Sequence, residues 1–174
     1  MNSVLKISLT LLLLNLSAPN VGVACEFLKE EIGTPILNII EKYDYLDDPT
    51  YEGSETYTLV KEYDSLSLCE NSELENTYIK VFVKEGKIIG TEIEGVYGEA
   101  KNSRILDFAK VYLGYTTEEE IDEKWIGGII LSSFDERVVY GRVSHTKGNF
   151  ETLTISKPEF REYLYGPSVI EIMM

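Results

Sequence analysis

Histidine is almost missing from this chain, cysteine occurs twice, and positive charge is scarce. His145 stands alone, Cys25 and Cys69 are the only thiols, and 16 Lys and Arg face 30 Asp and Glu in 174 residues. Each scarcity removes a class of chemistry. One imidazole and two cysteines expected to be oxidised do not assemble the usual four-ligand zinc site. A Ser-His-acid triad would have to use Ser144 and His145. They are neighbours in a predicted strand and point to opposite faces. A nucleophilic cysteine would need His145 as its base, and Cys25 sits at a chain end where positioning is poor. The formal charge of −14 argues against nucleic acid, because each phosphate contact needs a Lys or Arg in place of its counterions. It also disfavours adsorption to anionic lipid, and it steers a basic protein partner toward the chain.

Long hydrophobic runs are equally scarce. Ile7–Leu14 (ISLTLLLL) is too short for a membrane span, which takes about 20 apolar residues, but suits the core of a secretory signal. Gly22-Val23-Ala24 puts small residues at −3 and −1 before Cys25. The expectation is a signal peptide over 1–24 and a single exported domain over 25–174, periplasmic or secreted. Lys6 is the one charge in the leader, so the mature chain would carry −15. For the two cysteines three outcomes stand open: a Cys25–Cys69 disulfide, a lipid anchor on Cys25, or two free thiols. An even count in an exported chain favours the disulfide. Lipid-attachment sites usually carry Leu at −3, where this chain has Gly22.

The mature sequence reads as α+β, a mainly antiparallel sheet of about six to eight strands packed by two principal helices. Cys25–Ile32 is a polar lead-in. Thr34-Pro35 opens a helix, Thr as N-cap and Pro at N1. Its apolar stripe is Ile36, Leu37, Ile39, Ile40 and Tyr43. Residues 44–53 (DYLDDPTYEG) read as a loop, and Glu55–Tyr63 and Leu66–Cys69 as short strands. Tyr78–Lys84 and Lys87–Gly95 form the clearest hairpin, on a two-residue Glu85-Gly86 turn. That turn sets Val83 opposite Ile88 and Phe82 opposite Ile89. Ile79, Val81, Val83 and Ile88 then share one face, and Tyr78, Phe82, Ile89 and Ile93 the other. With neither face plainly polar, both are expected to be covered. Asn102–Leu113 is the second amphipathic helix, closed by Gly114. Thr116, Thr117, Glu119 and Glu120 spell overlapping capping boxes for a short turn. Strands are expected at Trp125–Phe134, Val138–His145 and Asn149–Lys157, then a helical turn within Ser156–Leu164 and an edge strand at Pro167–Met174. Both halves run helix then hairpin, which invites a pseudo-symmetric pair of units, although no residue-level repeat supports it.

The search for catalytic and cofactor motifs returns no catalytic residues, no metal ligands and no cofactor. "EGKIIG" and "WIGGII" lack the glycine spacing of phosphate-binding loops. Gly127-Gly128 suggests a bulge or a close packing partner instead. Asp44, Asp47, Asp48, Glu52 and Glu55 crowd one segment, yet the spacing is not that of a calcium loop, and Pro49 interrupts it. Glu92 with Glu94, or Asp135 with Glu136, would serve a two-carboxylate hydrolase but read more simply as solvated strand ends. Of twelve tyrosines, Tyr43, Tyr45, Tyr51, Tyr57 and Tyr63 recur through the acidic first third, and tyrosine gives large contact area at low rotamer cost. Asp47, Asp48, Tyr51 and Glu52 are therefore the expected partner-binding residues. The expected function is an exported acidic binding protein, an inhibitor or immunity-type protector that blocks a basic exported or cell-wall-directed enzyme. The alternatives are an envelope hydrolase with paired carboxylates and an envelope assembly subunit.

Overall fold

Glu85 and Gly86 both take positive φ, 51° and 75°, the backbone of a type I′ turn that matches the twist of two antiparallel strands. Around that turn the chain builds its sheet. The computed structural model describes residues 23–55, 58–69, 74–95, 104–122, 124–131, 137–145, 148–160 and 164. Seven strands lie within them: β1 (Tyr51–Glu55), β2 (Thr58–Asp64), β3 (Thr77–Lys84), β4 (Lys87–Gly95), β5 (Gly127–Leu131), β6 (Arg137–His145) and β7 (Gly148–Ser156). All pair antiparallel, in the order β1-β2-β3-β4-β7-β6-β5. A four-strand meander and a three-strand meander thus meet at β4 and β7. The architecture is α+β, as the alternating pattern indicates.

One face of the sheet carries the main core. Ile79, Val81, Val83, Ile88 and Ile93 pack there with Val138, Tyr140, Leu153 and Ile155. Over them lie α1 (Ile36–Lys42), α2 (Ser65–Leu68) and α3 (Arg104–Phe108), which runs on into a π turn at Ala109–Leu113. Among the described residues the opposite face buries Val60, Phe82 and Ile89 beneath Phe160 and Leu164, at the end nearest the Glu85-Gly86 turn, and Thr58, Thr154, Ser156 and Val139 elsewhere along its rows.

Several expectations are corrected. Phe82 pairs with Gly90 rather than Ile89, because Ile89 is an extra residue bulged out of β4 between Phe82 and Val83. A bulge moves every later side chain to the other face, so Ile93 stands opposite Ile79 in the main core. Leu66–Leu68 is helical, not extended: the Asp64 carboxylate accepts from the Leu66 and Ser67 amides at 3.0 and 3.2 Å and caps α2. Thr34 caps nothing. Its hydroxyl donates to the Glu31 carbonyl at 2.7 Å, while the Gly33 and Ile36 amides donate to the Ile88 and Gly86 carbonyls. Those bonds dock the start of α1 on the hairpin and leave Leu37 outside, 68% exposed. The lead-in is a 3₁₀ helix, Val23–Lys29, with Phe27, Leu28 and Ile32 buried.

Residues 44–53 divide into a 3₁₀ turn, Asp44–Asp47, and the beginning of β1. Gly114 does close its helix, at φ 79°, whereas Glu119 donates its amide to Thr117 Oγ1 in a bend that never becomes helical. Cys25 and Cys69 are joined as a disulfide, S–S 2.02 Å, and a sulfur in that bond carries no acyl chain. Residues 1–22, Asp135 with Glu136, and Pro167–Met174 lie outside the described residues.

Candidate partner-binding surface

The acidic segment Asp44–Glu52 is held at the sheet edge by one apolar and one polar anchor. Leu46 is buried, and the Tyr63 hydroxyl, inside the core, donates to the Leu46 carbonyl at 2.8 Å. Burial raises the Tyr63 phenol, and the carboxylates of Glu52 and Asp47 raise it further. Asp47 and Asp48 are exposed.

Tyr51 and Glu52 follow each other in β1 and so face opposite ways. Glu52 lies opposite Lys61 and forms an ion pair with it at 3.1 Å. Tyr51 stands on the far side of the sheet, 53% exposed, its ring lying across Gly53, where an added Cβ would collide with it. The four expected residues thus surround the β1 edge rather than forming one flat patch.

The face that carries Tyr51 can be followed strand by strand, because residues directly opposite in an antiparallel ladder share a face. One row runs Tyr51, Glu62, Lys80, Glu92, Thr154, Val139, Ile130. The next runs Asp64, Tyr78, Glu94, Thr152, Gly141, Gly128. Lys80 pairs with Glu94 and lies 4.0 Å from Glu92, while Thr154 Oγ1 donates to Glu92 at 2.9 Å. Burial alone would lower the Lys80 ammonium. The hydrogen bond to Glu94 and the fields of Glu94, Glu92 and Glu62 outweigh it, and the net shift is upward. Lys80 is ringed by carboxylates of its strand neighbours, with Glu62 and Glu92 directly opposite it. Glu92 and Glu94 are thus ion-paired mid-sheet residues rather than solvated strand ends.

Sequence reasoning missed a second polar cluster, buried on the core side. Arg142 is fully buried, with Tyr140 and Glu151 beside it. Its Nε donates to Tyr140 Oη at 3.1 Å and Glu151 Oε1 at 3.2 Å, and Nη1 to the carbonyls of Asp122 at 2.8 Å and Trp125 at 3.2 Å. Tyr140 Oη donates to Glu151 Oε1 at 2.6 Å. Glu151 Oε2 accepts the Ile105 amide at 3.3 Å, so the carboxylate ties α3 to β7. Burial, then the bond to Glu151, raises the Tyr140 phenol. A signal existed: Val138, Tyr140 and Arg142 alternate onto one face, and a charge on an apolar stripe needs a buried partner.

Near the N-terminal end, Glu30 accepts from Lys42 and from Tyr43 Oη, the latter at 2.6 Å. The Lys42 ammonium, then the Tyr43 phenol, hold the Glu30 carboxyl below its usual 4.5. The Lys157 ammonium does the same for the exposed Glu31, at 2.8 Å. A group lowered by folding contributes stability that is present above its unfolded value and lost as pH falls through the folded one. The melting temperature should therefore fall on acidification below about pH 4.5, and Glu30→Gln should flatten that limb. A melting series from about pH 6 to pH 2.5 checks this, and an unchanged slope in the variant would contradict it.

Comparison with known proteins adds little. No family model matches the chain, and no curated protein matches it. An extracellular protein containing a SCP domain from Bacillus anthracis str. Ames superposes with a TM-score of 0.43 at 14% identity, over 78% of this chain. The chain spans 47% of that protein's length, and a likeness of this grade carries no argument. Among the described residues no Asp, Glu, His and Cys side chains group to hold a metal ion, and no helix is long and apolar enough to cross a membrane.

Proposed function

We propose that this is an exported acidic binding protein that docks a basic protein partner, as an inhibitor or immunity-type protector of a basic exported or cell-wall-directed enzyme. The observation that carries the reading is the β1 edge: an exposed tyrosine bracketed by Asp47, Asp48 and Glu52. Behind it, the carboxylates of Glu62, Glu92 and Glu94 continue the same charge across the open face. In such a surface the acids steer and orient the partner, while the aromatic supplies the desolvated contact. The disulfide fits an oxidising compartment, periplasmic or secreted.

The test is capture of envelope and secreted proteins of the native host on the immobilised chain at about 0.01 M salt, where the Debye length is about 30 Å. A stoichiometric basic partner should bind, and its association rate should drop steeply toward about 0.15 M. Tyr51→Ala should weaken the complex at least ~10-fold through slower retention. Asp47→Asn with Asp48→Asn should act mainly on association. All three sites are exposed, so the variants should melt with the wild type. A partner that binds as well at high salt as at low would refute the reading.

A further inference from the structure

The open face ends, at β5 and β6, in a feature the acidic patch does not use. Gly128 and Gly141 stand directly opposite each other in the row that includes Thr152 and Glu94, and neither puts a side chain on the face. Two residues along, Ile130 pairs with Val139, and on the other side Val143 pairs with Phe150. The result is a dent with a backbone floor, apolar side walls and Thr152 behind. Ile130 and Val143 are each 60% exposed. Gly128 is exposed, and among the described residues a Cβ added there would meet nothing nearer than the Tyr140 carbonyl at 3.8 Å. At Gly141 a Cβ would meet Thr152 Oγ1 at 3.1 Å, which makes Gly141 the tight wall and Gly128 the mouth. Glycine weakens a strand interior, and a facing pair of them marks a place where something approaches closely.

The geometry points to this dent as the socket for one large apolar side chain of the basic partner, with a lysine or arginine of the same segment falling on Glu94. This rests on the partner being a basic protein, and it adds where and by what chemistry that protein is gripped. Two observations select that occupant over a second copy of this chain. The Gly141 wall lies two strand spacings and the Gly128 mouth three, about 10 and about 14 Å, from Glu94, one of the three carboxylates around the Lys80 ammonium. A chain carrying a formal charge of −14 repels its own copy there and attracts a cationic one. An extended segment covers about 10 Å in three residues and about 14 Å in four. The recognised pattern is therefore an apolar residue with Lys or Arg two to four positions away.

The experiment is selection of a random 12-residue peptide library on the full, disulfide-bonded chain, followed by affinities of the synthetic winners for wild type and variants. Winners should carry that pattern. Gly128→Val, which fills the mouth at an ordinary backbone angle, should weaken them at least tenfold without lowering the melting temperature. Glu94→Gln should weaken them several-fold and reduce the salt dependence. If Gly128→Val misfolds, Val143→Ser, at an exposed position, decides the same point by the same loss. Basic peptides that ignore Gly128→Val and Val143→Ser but respond to Asp47→Asn and Asp48→Asn would overturn the socket and leave the acidic edge as the docking site. Apolar winners without Lys or Arg would overturn the socket as drawn and favour an assembly subunit. An empty selection would sink both the socket and the basic-partner reading.

Discussion

Arg142→Ala should destabilise the protein by about 3–5 kcal/mol, the usual cost of removing one partner from a buried ion pair. The side chain is fully buried and donates to Tyr140, to Glu151 and to two backbone carbonyls of the 122–125 segment. Its removal takes the guanidinium counter-charge from the buried Glu151 carboxylate, and it leaves the Asp122 and Trp125 carbonyls without that donor. The guanidinium also lies 5.9 Å from the Trp125 ring and 5.8 Å from the Tyr140 ring, and those two rings stack at 5.8 Å. Packing is therefore lost along with charge. Arg142→Met combined with Glu151→Leu should recover most of the loss, because replacing both members of a buried pair by apolar groups is often near neutral. Urea unfolding of the two singles and the double gives the coupling directly. A loss under about 1 kcal/mol for Arg142→Ala would mean that solvent reaches the site and the network does not hold the β5–β7 end together.

Breaking the disulfide should cost about 4 kcal/mol. The bond spans a sequence separation of 44, and closing a loop of that length removes roughly that much chain entropy from the unfolded state. What it fastens is specific. Cys25 belongs to the 3₁₀ segment Val23–Lys29, whose Phe27 and Leu28 are buried, and Cys69 follows α2 directly. Without the bond, the segment keeps its apolar contacts, including the edge-on Phe27–Tyr43 pair at 6.5 Å, but has no covalent tie. Paired Cys25→Ser and Cys69→Ser substitutions should lower the melting temperature by about 10 °C, taking roughly 2–4 °C per kcal/mol. In hydrogen exchange, the amides of Phe27 and Leu28 should lose protection well before those of β6 and β7. Equal loss in both places would show that the bond stabilises the whole domain and not one end.

Local signals in the sequence reached as far as local physics does. The Glu85-Gly86 turn, the Gly114 helix stop and the alternation in β3, β6 and β7 were legible because each depends on neighbours a few residues away. The Ile89 bulge was not, since an extra residue in β4 is decided by what packs on both faces at once. Leu66–Leu68 misled because apolar residues two apart fit a strand as well as a helical turn, although the Asp64 cap was present to be weighed. Of the expected binding residues, exposure and acidity were legible. Their division between two faces of β1 follows from strand alternation, but only once residues 51 and 52 are known to be strand. The Arg142 network and the Gly128–Gly141 pairing join residues from separate strands, and no spacing in one strand announces the other.

The joining of β4 to β7 has a consequence for the order in which the molecule takes shape. Glu92 and Thr154, hydrogen-bonded across that seam, are 62 residues apart, whereas β1, β2 and β3 each pair with the next strand along. The first four strands can close as soon as they are synthesised, but the exposed edge of β4 must wait for nearly the last part of the described chain. Closing that distant seam is the slow event, because loop entropy is lost before any cross-seam contact repays it. Until then β4 offers an open, β-branched edge to any other strand. Newly made chains are thus most prone to pair wrongly in the interval between the arrival of β4 and the arrival of β7.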